Sequence, residues 1–216
     1  MLLQKNDRLL MIGDSITDCG RTRMDFAGLA PSLGSGYVSM VARTLHERAP
    51  ELNIRITNKG ISGNTTRDLL GRWQEDVLDL EPDWLSIMIG INDVWRQFDR
   101  PDDPEAGVPL AEYKANLESL IEQAQPVVTR GIILLTPYFI EPDRREPMRA
   151  MMDQFTETVK AAGETHNLPV ADTQASFDKA LETVHPLHFC ADRVHPIPHG
   201  HCLIAEAFLD TIGLDR

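Results

Sequence analysis

Apolar residues along the chain fall into short continuous runs that alternate with longer segments of helical periodicity. The runs RLLMI, WLSIMIG and GIILLT have the length of buried strands, and NIRITN alternates apolar and polar residues as a half-buried strand does. Five strands are predicted in this way, over 8–12, 53–58, 84–90, 131–136 and 168–173. Helical spacing predicts helices over 37–48, 65–80, 110–124, 147–166 and 200–212, with a further helix over 175–184.

This alternation predicts the α/β class, in the form of a three-layer α/β/α sandwich around a five-stranded parallel sheet. A chain of 216 residues suits a single domain, 1–216. The segment RPDDPEAGVP at 100–109 is interpreted as a surface loop or a lid, because no change of composition marks a domain boundary there.

Polar residues and glycines follow four of the predicted strands. They are GDS at 13–15, GISGN at 60–64, GIND at 90–93 and TPY at 136–138. Ligands of open parallel sheets bind outside the carboxyl ends of the strands. The recurrence of such residues at four strand ends therefore predicts a shared site.

Composition narrows the classes of partner and location. The net charge of −12 disfavours nucleic acid and anionic membranes, which reward clustered Lys and Arg, so a small neutral polar substrate is predicted. No apolar run reaches the roughly 18 residues of a membrane span, and the first residues lack the layout of a signal peptide. A cytoplasmic location is therefore the expectation. Cys19, Cys190 and Cys202 form no CxxC pair, which argues against a disulfide framework and a cysteine zinc site.

Ser15 follows the first strand and is either an ordinary turn or helix-cap residue or a nucleophile. A nucleophilic serine needs a base, and the base needs an orienting acid. Asp192 and His195 offer that pair, because a spacing of three lets both side chains share one side of a turn. Pro196 keeps His195 out of helical geometry.

A tetrahedral oxyanion also requires donors aimed at it. The amides of Ser15 and Gly63 and the side chain of Asn92 come from three strand ends and are predicted to supply them. Gly63 can approach closely because it has no Cβ.

The segments GDSIT, NKGISGNT, GIND and DRVHP resemble the four blocks of the SGNH (GDSL-type) hydrolases, in the family's order and across nearly the whole chain. The resemblance implies a flavodoxin-like sandwich in which Ser15 is the nucleophile. It also implies Gly63 and Asn92 as oxyanion donors, and Asp192 with His195 as the rest of a triad.

Within that family the longer strings GDSITDCGR, NKGISGNTTRDL and PDWLSIMIGINDVWRQ are most similar to intracellular acetyl xylan esterases. These enzymes remove acetyl groups from the xylose units of short xylan fragments without a cofactor, and their homo-oligomeric assembly is an expectation carried over with the resemblance. One departure concerns the sugar pocket: Ala191 stands where close relatives often have an aromatic residue.

Several residues near the predicted site have two interpretations. Asp14 is expected to bond nearby backbone amides and is also a candidate for substrate binding. Trp95, Arg96 and Tyr138 would suit a sugar ring, or they pack the sheet edge or a subunit contact. Asp93 is an alternative acid, although no histidine stands beside it.

The stretch HPIPHGH places His195, His199 and His201 close together and raises the alternative of a metal site. Pro196 and Pro198 break the helical spacing that such a site would use, so no metal is predicted, and His199 and His201 are interpreted as cap or surface residues. Two other functions use the same fold: a thioesterase or short-chain acylhydrolase of broad specificity, and a non-enzymatic carbohydrate-binding protein.

Overall fold

The parallel sheet is built from all five predicted strands. The structure is a computed structural model that describes residues 1–23 and 30–214. Its strands are β1 (Arg8–Gly13), β2 (Arg55–Gly60), β3 (Trp84–Met88), β4 (Gly131–Leu135) and β5 (Val170–Ala171). They lie in the order β2-β1-β3-β4-β5, and each neighbouring pair is parallel. The predicted α/β sandwich is thereby confirmed.

Helices cover both faces of this sheet. They are α1 (Ser15–Asp18), α2 (Ala30–Leu33), α3 (Tyr37–Arg48), α4 (Thr66–Asp76), α5 (Ile91–Asp99), α6 (Leu110–Ala124), α7 (Pro147–His166), α8 (Thr173–Leu181) and α9 (Pro198–Thr211). Helix α3 packs on α9, whereas α6 packs between α4 and α7. The usual right-handed crossover puts α3 on the face opposite α4, α6 and α7, because the chain runs one way along the sheet from β1 to β2 and the other way from β2 to β5. Helix α9 joins α3 on its face.

Some element boundaries differ from the sequence prediction. Strand β2 starts at Arg55 and not at residue 53, because the chain first passes through a short 3₁₀ turn and a left-handed Asn53. Helix α4 ends at Asp76, four residues early, because Val77 leaves the helical region and a 3₁₀ turn follows. Strand β5 is only two residues long, because it pairs with the last two residues of β4 alone.

Two connections between predicted elements, 19–36 and 96–109, are partly helical. Residues 96–99 belong to α5, which the sequence analysis did not predict. Part of the segment 19–36 lies outside the described residues, and its described part contains α2. None of the helices within 1–23 and 30–214 combines the length and hydropathy that a membrane span requires.

Candidate active site

Ser15 stands at the first position of α1, directly beyond the end of β1. Its Oγ lies 3.0 Å from His195 Nε2, and His195 Nδ1 lies 2.7 Å from Asp192 Oδ2. The structure therefore brings the three predicted residues together from the two ends of the chain. Because Nδ1 faces a carboxylate, it carries the ring proton, and Nε2 is left to accept from the serine hydroxyl.

The loop that carries Asp192 and His195 is closed by a bridge between Cys190 and Pro196. Inside it, Asp192 Oδ1 accepts from the Cys190 thiol at 2.9 Å and from the amides of Val194 at 3.0 Å and His195 at 2.8 Å. Burial alone would raise the pKa of Asp192, but these bonds and the one from the imidazole outweigh it and hold the pKa well below its usual range. The carboxylate is therefore ionised wherever the histidine can act as a base.

Candidate oxyanion donors lie on the neighbouring strand ends. Gly63 adopts a φ of 85°, a left-handed conformation that favours glycine. Within residues 1–23 and 30–214, the amides of Ser15 and Gly63 donate to no protein acceptor. Asn92 Nδ2 donates one hydrogen to the Asn64 carbonyl at 3.0 Å, and its second hydrogen remains for a ligand.

A cleft of about 690 Å³ opens over these groups. Ser15, Gly63, Asn92 and His195 line it, and Trp95 and Arg96 from α5 form one side of it. The Trp95 ring meets His195 edge-on at a centroid distance of 5.7 Å, and the Arg96 guanidinium lies 4.5 Å above the Trp95 ring. Both side chains are half-buried and face the cleft.

Two of the predicted substrate-binding residues do not reach the cleft. Asp14 is 1% exposed, and its Oδ1 accepts from the Ile16 amide at 2.9 Å, so this side chain caps the N-terminus of α1. Burial raises the pKa of Asp14 to about 7. Tyr138 is fully buried against Phe177, with ring centroids 4.4 Å apart. Both interpretations as substrate ligands are wrong, because these side chains are enclosed by protein.

The fourth strand end supports the site without lining it. The Tyr138 hydroxyl donates to the Val194 carbonyl at 3.5 Å, and the Ile140 amide donates to the Arg193 carbonyl at 3.0 Å. An ion pair of 2.8 Å joins Arg193 to Glu141. The segment after β4 therefore holds the loop of Asp192 and His195 in place.

The alternative acid, Asp93, lies elsewhere. Its Oδ1 accepts from the amide and hydroxyl of Thr66, at 3.0 and 2.6 Å, and so ties α5 to α4. The side chain is fully buried, which raises its pKa to about 6. Asp192, and not Asp93, is the carboxylate in contact with His195.

His201 is not a surface residue, contrary to the sequence analysis. It is 4% exposed, its Nδ1 accepts from the Tyr37 amide at 3.1 Å, and its Nε2 lies 3.3 Å from Cys19 Sγ. Burial lowers the pKa of His201 to about 4, so the ring is neutral. His199 is exposed. In the part of the chain that the structure describes, no group of three or more His, Cys, Asp or Glu side chains is placed to hold a metal.

Three residues behind the site were missed by sequence reasoning. Asp18 Oδ2 accepts from the amide and hydroxyl of Ser62, at 3.1 and 3.2 Å, and Asn58 Nδ2 donates to the carbonyls of Thr17 and Leu33. Arg72 reaches the ends of two strands. Their roles were not predicted, because the partners of Asp18 and Asn58 lie 25 to 44 residues away and Gly13 lies 59 residues from Arg72.

A parallel α/β/α sandwich with a serine, a histidine and a carboxylate in contact beyond its strand ends defines an ester hydrolase of the SGNH type. A family model described as GDSL-like lipase/acylhydrolase matches residues 11–203, and the chain belongs to that family. The resemblance seen in the sequence is confirmed, and the non-enzymatic alternative is set aside.

Individual relatives match over the whole length. An acetylxylan esterase from Geobacillus stearothermophilus is 51% identical over 215 residues, covering 100% of this chain and 98% of that protein. The crystal structure of Axe2, an acetylxylan esterase from the same organism, matches with a TM-score of 0.97 and 51% identity, covering 100% of this chain and 98% of that one. LAE5, an alpha/beta hydrolase enzyme from the metagenome of Lake Arreo in Spain, matches with a TM-score of 0.97 and 45% identity over 100% of both chains.

Proposed function

We propose that the chain removes acetyl groups from acetylated carbohydrates, acetylated xylo-oligosaccharides foremost, through a Ser15–His195–Asp192 triad and an acyl-enzyme intermediate. One observation carries this proposal: the two contacts of 3.0 and 2.7 Å that join the three side chains in an open cleft. The acetylxylan esterases among the relatives support the choice of substrate.

Acylation begins when His195 Nε2 takes the proton of Ser15 Oγ as this oxygen attacks the acetyl carbonyl carbon. Asp192 stabilises the resulting imidazolium and keeps Nδ1 protonated. The negative charge that develops on the carbonyl oxygen is met by the amides of Ser15 and Gly63 and by the free hydrogen of Asn92 Nδ2. All three donors are neutral. Two are backbone amides and the third is held by its bond to the Asn64 carbonyl, so they need little rearrangement during the reaction.

Collapse of the tetrahedral intermediate breaks the bond to the sugar oxygen, and His195 gives that oxygen its proton. The acetyl group is then held as an ester of Ser15. Water, deprotonated by His195, attacks this ester, and a second tetrahedral intermediate releases acetate and restores the serine hydroxyl.

The lining of the cleft favours a polar leaving group over a long acyl chain. Ser35, Ser62 and Arg96 border it with hydrogen-bonding groups, and Trp95 offers an aromatic face beside them. Sugar rings present hydroxyls and an apolar face together, which such a surface complements. Ala191 is exposed next to Asp192, so the loop that carries Asp192 and His195 presents no large side chain at that position.

Acetate release from defined acetylated xylo-oligosaccharides tests the proposal directly. Ser15→Ala is expected to lower kcat on the order of 10⁶-fold, as in other serine hydrolases, and to abolish labelling by a fluorophosphonate. Ser176→Ala is a matched control, because Ser176 lies on α8, outside the cleft lining, and its hydroxyl donates to the Asp172 carbonyl. Retention of more than a few per cent of activity by Ser15→Ala would refute the triad.

The same assay separates the substrate classes. A panel of acetylated xylo-oligosaccharides, acyl-CoA esters and p-nitrophenyl esters of increasing chain length gives kcat/KM for each class. The proposal expects the acetylated sugars to rank first. A higher value for acyl-CoA would instead indicate the thioesterase alternative.

Assembly and location stay predictions. We propose that the chain forms a homo-oligomer and acts in the cytoplasm on small acylated sugars. Light scattering on the purified protein measures the oligomeric state, and cell fractionation measures the location.

A further inference from the structure

Arg72, on α4, joins three segments that end at the candidate site, yet it is not part of the cleft wall. Its side chain is 14% exposed. Nη2 donates to the Gly13 carbonyl at 3.2 Å, Nη1 to the Lys59 carbonyl at 2.9 Å, and Nε to Asn64 Oδ1 at 2.8 Å. A single planar guanidinium therefore fixes three backbone segments relative to one another.

Each of these segments leads to a group of the proposed mechanism. Gly13 is the last residue of β1 and lies two residues before Ser15. Asn64 directly follows Gly63, and its carbonyl accepts the hydrogen bond from Asn92 Nδ2. The contacts of Arg72 thus connect the nucleophile with two of the three oxyanion donors.

Asp76 fixes the orientation of the guanidinium. Its Oδ2 accepts from Arg72 Nη1 at 2.6 Å, and its Oδ1 accepts from Lys59 Nζ at 3.0 Å. Burial acts to raise the pKa of Asp76, but the bonds from Arg72 and Lys59 prevail and lower it. The carboxylate is ionised at neutral pH, and Arg72 is held at both ends of its fork.

We propose that Arg72 is a positioning residue that sets the spacing between Ser15 and the oxyanion donors. This inference rests on the proposed function. A displacement of about 1 Å in a catalytic group costs on the order of 10²-fold in rate. Without the guanidinium, the Ile61 amide still donates to the Gly13 carbonyl at 3.0 Å, but Asn64 loses its link to β1. The donors at the far end of the 61–64 loop then meet the developing oxyanion poorly, whereas the ground-state ester is bound by the unchanged cleft wall.

Arg67 provides a matched control on the same helix. It makes two bonds to Glu112, at 2.5 and 2.7 Å, and two more to the carbonyls of Glu105 and Gly107. None of these partners lines the cleft. Arg67 therefore resembles Arg72 in its number of bonds but leads to no catalytic group.

The experiment compares Arg72→Met with Arg67→Met on p-nitrophenyl acetate, well below the Tm of each. Both variants are expected to lose thermal stability. Only Arg72→Met is expected to lose kcat, by about 10- to 100-fold, with KM changed less than about threefold. Equal kcat values in the two variants would overturn the inference, as would a rise in KM that accounts for the whole loss.

Asn64→Ala tests the same link with a smaller change. It removes the acceptor of Arg72 Nε and leaves the other bonds of Arg72 intact. We expect Asn64→Ala to lower kcat at nearly unchanged Tm. In the double variant with Arg72→Met, the fold-loss of kcat is expected to be well below the product of the two single fold-losses. If Arg72→Met does not fold, an unchanged kcat in Asn64→Ala overturns the inference on its own.

Failure of this inference is distinct from failure of the proposed function. An inactive Ser15→Ala together with an Arg72→Met that behaves like Arg67→Met removes only the positioning role. An active Ser15→Ala removes the proposed function itself.

Discussion

Asp192 receives more hydrogen bonds than the orientation of His195 alone requires. One oxygen takes the bond from the imidazole, and the other takes three bonds from a thiol and two amides. The division matters, because the second set fixes the carboxylate plane without using the imidazole ring. His195 can therefore gain and lose a proton while its partner stays in place.

Asp192→Asn is expected to keep this loop and to lose the reaction. The amide oxygen can accept the three bonds now made to Oδ1, but the NH2 group then faces the Nδ1–H of His195. The ring is driven to the other tautomer, and Nε2 can no longer accept the proton of Ser15. A loss on the order of 10⁴ in kcat is expected, as for the same change in a known triad.

Steady-state kinetics and a thermal melt measure this outcome. Asp83→Asn is the control, because Asp83 also accepts several bonds, from Arg8 and Thr129, and precedes β3 at the edge of the sheet opposite the cleft. A loss of less than about tenfold in Asp192→Asn would show that the carboxylate does not set the tautomer.

At the residue scale, the sequence was sufficient to predict the catalytic groups that stand in short motifs. It was not sufficient to predict which side chains are buried. Ser15, Asp192 and His195 could be placed together because each stands in a recognisable block at a strand end or near the last helix. Tyr138 could not be excluded from the cleft, because its enclosure depends on Phe177 and Val194, which arrive much later in the chain. The role of Arg72 was missed for the same reason, since its partner Gly13 is 59 residues away in the sequence.

At the scale of elements, the contact between α1 and β2 places the serine. An added Cβ on Gly60 would lie 2.2 Å from the Asp18 amide nitrogen and 2.6 Å from the Thr17 carbonyl carbon. Both are backbone atoms, so no side-chain rotation could relieve the clash. Only glycine lets the end of β2 approach the helix that begins with Ser15.

Gly60→Ala is therefore expected to destabilise the protein by about 1–3 kcal/mol and to lower kcat. Gly71→Ala is the control, because Gly71 is an exposed helical glycine of α4 whose added Cβ meets nothing within 4 Å. That change is expected to stabilise by about 0.5–1 kcal/mol with kcat unchanged. Urea unfolding and p-nitrophenyl acetate turnover measure both. Unimpaired stability in Gly60→Ala would contradict the packing argument.

The spacing of apolar residues predicted most of the strands and helices. It did not predict where each of them ends, nor the short helices. Strands β1, β3 and β4 were recognisable as continuous apolar runs. Helix α5 was missed although Ile91, Val94, Trp95 and Phe98 have helical spacing, because its first turn was interpreted only as a strand end that carries site residues. The burial of Asn92 and Asp93 in that turn reflects the site and the tie to Thr66, which local sequence does not display.

At the scale of the whole molecule, His201 lies where three helices of one face meet. It belongs to α9, accepts from the first amide of α3, and contacts Cys19 at the end of α1. Protonation of Nδ1 would remove the acceptor of the Tyr37 amide and place a charge inside this junction. The protein is therefore expected to depend on a neutral His201 for its packing.

The sign of the pH dependence follows from the pKa of about 4 that burial gives His201, against about 6.5 in an unfolded chain. Between these values the unfolded state binds the extra proton. The contribution of His201 is therefore complete above pH 6.5 and is lost as the pH falls towards 4, by roughly 3 kcal/mol. Asp14 acts in the opposite direction: its pKa is raised to about 7, so its contribution is present at low pH and lost as the pH rises through that value.

A comparison of variants separates the pH dependence that His201 contributes from the opposing contribution of Asp14. His201→Asn keeps an oxygen in place of Nδ1 to accept from the Tyr37 amide, but it does not titrate. Its free energy of unfolding in urea is expected to fall less between pH 7 and pH 4 than that of the parent, by roughly 3 kcal/mol. His46→Asn, at an exposed position of α3, should follow the parent curve. If the two variants have parallel pH profiles, the acid sensitivity does not arise at the junction of α1, α3 and α9.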